Sequence, residues 1–260
     1  MKILQVSCKK TQIILVNPTE SIYKPQEFAS LMGQFSYPPT KRSAALAEII
    51  GIVLGDGSIY LKERTYQVRI AGNSENGREY LVSYVRRLFK SVFHVEARTK
   101  FVKNTKAMYL CIDLKHVALE LIRHGLFPGD RRKTDPHIPC WIFDNKEYLR
   151  SCIRGLIDTD GTVYPKTLRH PSASIWFTTA LPSLRDDFAN AMRSLGFHLS
   201  KWVARSNGRD NIRYDTCIGK SIEALTYFKE VGFSNPHYHQ RFLKYLRDPD
   251  RSIMNAPNEI

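Results

Sequence analysis

Apolar positions along the chain keep two rhythms, and the order of those rhythms occurs twice. In AEIIGIVLGDG and again in SCIRGLIDTDG, apolar and small residues follow one another at helical spacing until an acid meets a glycine, Asp56–Gly57 in the first copy and Asp160–Gly161 in the second. Each acid-glycine pair is followed by a short β-prone run, Ser-Ile-Tyr or Thr-Val-Tyr, then a basic loop and a second alternating run, TYQVRIAGN or ASIWFTTA. A helical stretch comes next, ENGREYLVSYVRRLFKSV or SLRDDFANAMRSLGF. Two more strand-like runs follow, HVEARTKFV and AMYLCIDL in one copy, HLSKWVARS and IRYDTCIG in the other. Each copy closes on an amphipathic helix, KHVALELIRHGLF or KSIEALTYFKEVGF, with Gly125 and Gly232 placed where a helix ends in the left-handed conformation.

This repeat predicts an α+β fold of two pseudo-symmetric αββαββα half-domains. Strands joined by hairpins form antiparallel sheets, and helices on one face leave the other open. The expected boundaries are an N-terminal extension of unassigned role at 1–44, a first half-domain at 45–134, a connector at 135–147, a second half-domain at 148–247 and a tail at 248–260. The extension holds a candidate hairpin (KILQVS, TQIILV) and a segment marked by Pro18, Pro25, Pro38 and Pro39. In the connector, three prolines argue for extended chain, and DNKE for the start of the second acid-bearing helix.

Charge narrows the partner. Lys plus Arg number 39 against 25 Asp plus Glu, a formal charge of +14, which suits a polyanion. An anionic membrane surface would attract the same charge, but the cations fall in strand-like ribbons and loops rather than on one basic amphipathic helix. No apolar run approaches the roughly 18 residues that span a bilayer, so an intracellular protein is expected. Cys8, Cys111, Cys140, Cys152 and Cys217 are odd in number and never spaced as C-x-x-C, which points to neither a disulfide framework nor a zinc site.

Gly51 and Gly55 stand four apart, as do Gly155 and Thr159, so each acid-bearing helix presents a stripe of small residues. If the helices pack along these stripes, Asp56 and Asp160 emerge side by side. Two carboxylates so placed repel, and a cation between them relieves that; oxygen-only ligands favour Mg²⁺. Taken alone, either Asp-Gly is equally a turn or helix end. The repeat is what favours chemistry.

IRGLIDTDG is close to the nonapeptide that names the LAGLIDADG homing endonucleases, and IGIVLGDG is a looser version with the same Gly-Asp-Gly ending. From about residue 45 to 247 the chain resembles the single-chain, two-motif form of that family. The resemblance implies a monomeric, metal-dependent endonuclease that cuts both strands of a long asymmetric duplex and is encoded within an intron. Asp56 and Asp160, with Gly55 and Thr159 beside them, would hold the ions: Mg²⁺ or Mn²⁺, with Ca²⁺ binding without supporting cleavage. Asp158, matched by Leu54 in the first motif, would be structural. The resemblance also places a basic residue near the scissile phosphates after each half's last helix, Lys133 in the first half and His239, with Arg241 nearby, in the second. Polar residues at the end of the second strand, Asn73 and Thr178 or Thr179, would hold water, although Asn73 and Thr179 serve equally as caps. A non-cutting RNA maturase acting on intron RNA, or a DNA-binding regulator, is the alternative on the same fold.

Alternation sets many cations on the face opposite the apolar residues: Arg69 with Gln67, Arg98, Lys100, Lys103, Lys166, Arg169, Lys201, Arg205, Arg209 and Arg213. Any one of them is also a plain solvated charge. As a set they suit duplex DNA, since a two-stranded ribbon fits the major groove. Two such sheets would form a saddle with the carboxylates over its middle.

Overall fold

The computed structural model describes residues 40–62, 65–165, 172–206 and 212–247. The candidate hairpin and the prolines before residue 40, together with Cys8, Lys166, Arg169 and Arg209, lie outside the described residues.

Helix α1 (Ala44–Asp56) starts at Ser43, whose hydroxyl accepts from the Leu46 amide at 3.1 Å. Its residues from Leu46 to Gly55 are all buried, so it is a core helix. It runs directly into β1 (Gly57–Lys62), which pairs antiparallel with β2 (Thr65–Asn73) in the register Gly57 to Ile70. Helix α2 follows, π-wound over Tyr80–Val85 and α-helical over Arg86–Phe93. Then come β3 (Arg98–Phe101), β4 (Ala107–Ile112) and α3 (Lys115–Arg123). The sheet order is β1-β2-β4-β3.

After two short helices, α4 (Arg131–Thr134) and α5 (Cys140–Phe143), the pattern restarts with α6 (Lys146–Asp160). Asn145 caps α6 by accepting from the amides of Glu147 and Tyr148 at 2.8 and 3.3 Å, as DNKE suggested. Then come β5 (Gly161–Pro165), β6 (Ala173–Thr179), α7 (Pro182–Ser194), β7 (Val203–Ser206), β8 (Ile212–Ile218) and α8 (Ser221–Glu230). The second sheet is ordered β5-β6-β8-β7, and α9 (Pro236–Arg247) closes the chain's described part. Gly125 and Gly232 take φ of +106° and +69°, the left-handed helix ends expected of them.

The connector differs from the extended chain its prolines suggested. Pro139 sits at the entrance of α5 instead of preventing it, since a helix's first turn has no use for the missing amide. That turn buries Trp141, whose indole N–H donates to the His124 carbonyl at 3.1 Å.

Helices α1 and α6 lie against each other along the small-residue stripes. A methyl group on Gly51 would fall 2.1 Å from the Cys152 carbonyl oxygen, and one on Gly155 2.5 Å from that of Glu48. Only glycine permits backbones this close. The same contact holds an ion pair the repeat did not announce. Glu48, 2% exposed on α1, meets the Arg154 guanidinium of α6 at 2.5 Å and accepts from Tyr84 and Ser234, each at 2.7 Å. Arg154 also donates to the Val231 carbonyl at 3.1 Å, so one network ties both halves to the chain leading into α9.

Candidate active site and nucleic-acid interface

The stripe that brings the helices together also sets their last residues side by side. At Gly55 a methyl group would meet Thr159 Oγ1 at 1.9 Å and Asp160 Oδ2 at 3.6 Å, so the two Asp-Gly ends are adjacent. Asp56 and Asp160 cap this junction. Neither accepts a hydrogen bond or pairs with a cation at salt-bridge distance among the described residues. Burial raises the Asp56 carboxyl against the pull of Arg131. Burial and repulsion from Asp56 push the Asp160 carboxyl up to about 7, against Arg131 and Arg213. Two half-buried carboxylates that repel each other and have no hydrogen-bond partner are a place prepared for positive charge.

Residues 147–232 match the family model described as a LAGLIDADG-like domain. A search of curated proteins finds no match. Among solved structures, the crystal structure of I-DmoI in complex with DNA and Mn is similar at a TM-score of 0.51 and 18% identity, covering 73% of this chain and 96% of that one. The complex of I-DmoI with DNA and Ca gives 0.50 and 17%, covering 72% and 88%. A single-residue variant of I-DmoI, in complex with its target DNA in the presence of Mg, gives 0.50 and 18%, covering 72% and 94%. This chain has the LAGLIDADG homing-endonuclease fold.

Within that fold the sheet register gives the equivalences between the halves. Gly57 faces Ile70 and Gly161 faces Phe177, so Ala71 corresponds to Thr178, Arg69 to Trp176 and Asn73 to Ala180. Asn73 therefore has no polar counterpart, and its side chain caps a turn by accepting from the Glu75 amide at 2.8 Å. Thr179 turns into the core and accepts from the Leu181 amide at 3.2 Å. Thr178 is the residue on the open face, donating to Asp215 at 2.8 Å. Asp158 is buried, accepts from the Ser234 amide at 2.8 Å, and offers its carbonyl to Asn235 at 3.1 Å. It anchors the entrance of α9, the structural part expected of it.

The basic residues expected after each last helix lie at the surface, and neighbouring side chains reach the motifs. Lys133 is exposed on α4, and the side chain that reaches the first motif is Arg131, which donates to the Leu54 carbonyl at 2.6 Å and to that of Gly55. Because α4 is a single turn beginning at Asp130, its first residue points back to the motif and its third points out. His239 is likewise exposed, its ring 5.1 Å from that of Phe228. From the same turn of α9 Tyr238 faces inward; burial and then Asp158 and Asp56 raise its phenol, with a further push from Asp160. Arg241 lies over the Tyr164 ring at 5.3 Å. Arg131 and Tyr238 were missed because the sequence gives the distance along the chain to the helix, not the residue at which the helix begins.

The open faces carry some of the expected cations. Strand alternation puts Gln67, Arg69, Tyr109 and Cys111 on the first sheet's outer side with Arg98 and Lys100, while Val68, Ile70, Leu110 and Ile112 face the core. On the second sheet Trp176, Thr178, Asp215, Arg205 and Arg213 share the outer side. Lys103 and Lys201 are exposed beyond the strands, in the β3–β4 turn and before β7.

Proposed function

We propose that this chain is a sequence-specific DNA endonuclease that hydrolyses one phosphodiester in each strand of a long asymmetric duplex. The observation that carries the reading is the pair of half-buried carboxylates without a hydrogen-bond partner, Asp56 and Asp160, set at the junction of the two halves, whose sheets carry cations on their open faces. One chain supplies both acids, so a monomer suffices. Its two faces carry different side chains, so its target would lack twofold symmetry. An origin within an intron accords with the same reading.

Asp56 and Asp160, with the carbonyls of Gly55 and Thr159, form an all-oxygen set that fits a divalent cation. The raised carboxyls support the fit, since Arg131 and, for Asp160, Arg213 offset burial and mutual repulsion only in part. Such an ion, when bound, supplies an activated water and neutralises charge on the phosphate. The protein's own groups bind and orient. The Gly55 carbonyl accepts from Arg131 through one of its two lone pairs and would hold an ion through the other, and the guanidinium has further N–H groups that would donate to a phosphate. Tyr238, its phenol raised, stays protonated at neutral pH and can donate a hydrogen bond from the second half.

The test is cleavage selection from a randomised duplex library with Mg²⁺, beside Asp56→Asn and Asp160→Asn. Discrete double-strand cuts by the parent protein, lost by about a thousandfold or more in each variant, are expected. Salt-sensitive duplex binding with no cut in Mg²⁺ or Mn²⁺ would overturn the nuclease reading and leave a binding role.

A further inference from the structure

Each open sheet face carries an acid among its cations, and in both cases the acid holds an arginine. On the first sheet Asp113, just past β4, accepts from Arg98 of β3 and from Gln67 of β2, and Gln67 in turn accepts from Arg69. Gln67 thus has its amide group spent at both ends, and the cations expected to roam the surface are joined in a line across three strands. On the second sheet Asp215 of β8 meets Arg205 of β7 at 2.9 Å and accepts from Thr178 of β6 at 2.8 Å. Arg98 and Arg205 remain 78% and 68% exposed, so their outer N–H groups still face solvent.

A carboxylate on a surface that meets phosphates weakens binding to any duplex, since non-specific affinity follows the number of phosphates that cations neutralise. An arginine tied to a carboxylate, even by so exposed and weak an ion pair, has its inner N–H groups occupied and its plane oriented. It gains a partner mainly when a base edge with two acceptors, guanine O6 and N7, comes to its outer face. We infer that Asp113 and Asp215 are specificity-determining positioning residues, holding Arg98 with Arg69, and Arg205, toward guanine edges in the major groove. This rests on the DNA reading above.

The two ties address different parts of a site. Thr178, which binds Asp215, is next to Phe177, the partner of Gly161 that follows Asp160. Gln67, which binds Asp113, lies three residues outward from Ile70, the partner of Gly57, or about 10 Å at strand spacing. Arg69 and Arg98 share one level of the first sheet, both opposite Cys111, and Arg205 stands opposite Arg213 on the second, so each tie serves the half of the target that its own sheet covers.

The experiment uses the full chain, Asp113→Asn, Asp215→Asn and Arg205→Ala. Each is titrated with a random-sequence duplex of about 25 base pairs over a range of salt, and passed through binding selection from a randomised duplex library in Ca²⁺. Both Asp→Asn variants are expected to bind the random duplex about threefold to tenfold more tightly, with a salt slope steeper by about 1 for each released arginine. Each should lose guanine preference in its own half of the target, the half under the first sheet for Asp113→Asn and the half under the second for Asp215→Asn. Arg205→Ala should flatten the same position as Asp215→Asn while making the salt slope shallower, a split that a mere strand brace would not produce. Unchanged slopes and selection profiles, with the parent chain binding duplex, would overturn the assignment and leave the DNA reading standing. A parent chain that binds no duplex would overturn the DNA reading itself.

Discussion

In the first half, Arg131 grips the carbonyls of Leu54 and Gly55 and draws on both acids; in the second, Arg213 from β8 draws on Asp160 alone, and the phenol of Tyr238 faces inward from α9. The motif helices differ in the same way. Glu48 and Cys152 occupy equivalent places eight residues before their acids, as do Ile50 and Arg154 at six, yet Glu48 and Arg154 find each other and the other two simply pack. What the halves share is backbone: strand register, left-handed glycine ends and glycines where the helices touch. What they do not share is everything the backbone leaves free. Symmetry here is enforced by close approach, and it lapses wherever a side chain faces an open sheet or a pocket of its own.

The largest test of that contrast is at the shared contact. Gly155→Ala places a methyl group 2.5 Å from the Glu48 carbonyl oxygen and 2.9 Å from the Ile52 nitrogen, both backbone atoms that cannot step aside. Thermal unfolding should show a loss of about 4 kcal/mol or more, or no folded protein. Gly196→Ala, where φ is +85° but nothing lies within 4 Å of the added methyl, should cost only about 1 kcal/mol. Equal losses would mean the helix contact is looser than its distances.

Next is the unshared pair. Glu48→Gln leaves Arg154 charged, mostly enclosed and without its acid, and should destabilise by about 3 kcal/mol in denaturant unfolding. The double change Glu48→Met with Arg154→Met should recover most of that, because removing both charges also removes their desolvation. Failure of the double variant to recover would show that Glu48 acts mainly through Tyr84 and Ser234 rather than through Arg154.

A smaller effect should divide the two acids' neighbours. Arg131→Ala removes a donor aimed at the first motif and should slow cutting by about tenfold to a hundredfold, with nicked duplex accumulating because one strand suffers more. Tyr238→Phe removes only a hydroxyl from the second side, and should slow cutting by less than about tenfold. Gel separation of nicked and linear product measures both. Equal effects on both strands from Arg131→Ala would mean that it serves the pair of acids as one site.

How much of this was legible beforehand follows the same division. The αββαββα order, the antiparallel sheets and the close approach of the two motif helices along Gly51 and Gly155 could be read from periodicity and glycine spacing, because those signals recur every two or four residues. Asp56 and Asp160 were legible as ends of those patterns. Arg131, Tyr238, Asp113 and Asp215 were not, since each owes its place to where a short helix begins or to which strand lies alongside. A sequence that offers Arg131, Arg132 and Lys133 in a row does not say which one the first turn of α4 points inward.

The subtlest difference between the halves is in their acids' titration, and it fixes a sign. The folded state holds the Asp160 carboxyl at about 7, against an ordinary value of 3.8, so in the intermediate range the folded chain binds a proton that the unfolded chain has released. Stability is then full below about pH 4, falls as pH rises toward 7, and levels off above it. The half-buried Asp56 and the buried Asp158 carboxyls, also raised, act in the same direction. Metal-free protein should therefore melt a few °C lower at pH 7.5 than at pH 5, and Asp160→Asn should flatten that dependence more than Asp56→Asn, because the repulsion between the acids falls on the more buried Asp160. Added Mg²⁺ should raise the melting temperature at pH 7.5 and do little at pH 5, where a protonated Asp160 has no charge to offer. A melting temperature that rises from pH 5 to 7.5 in the parent chain would mean the two acids already have their counter-charge from the protein, and the half-to-half difference at Arg131 would then be compensation rather than asymmetry.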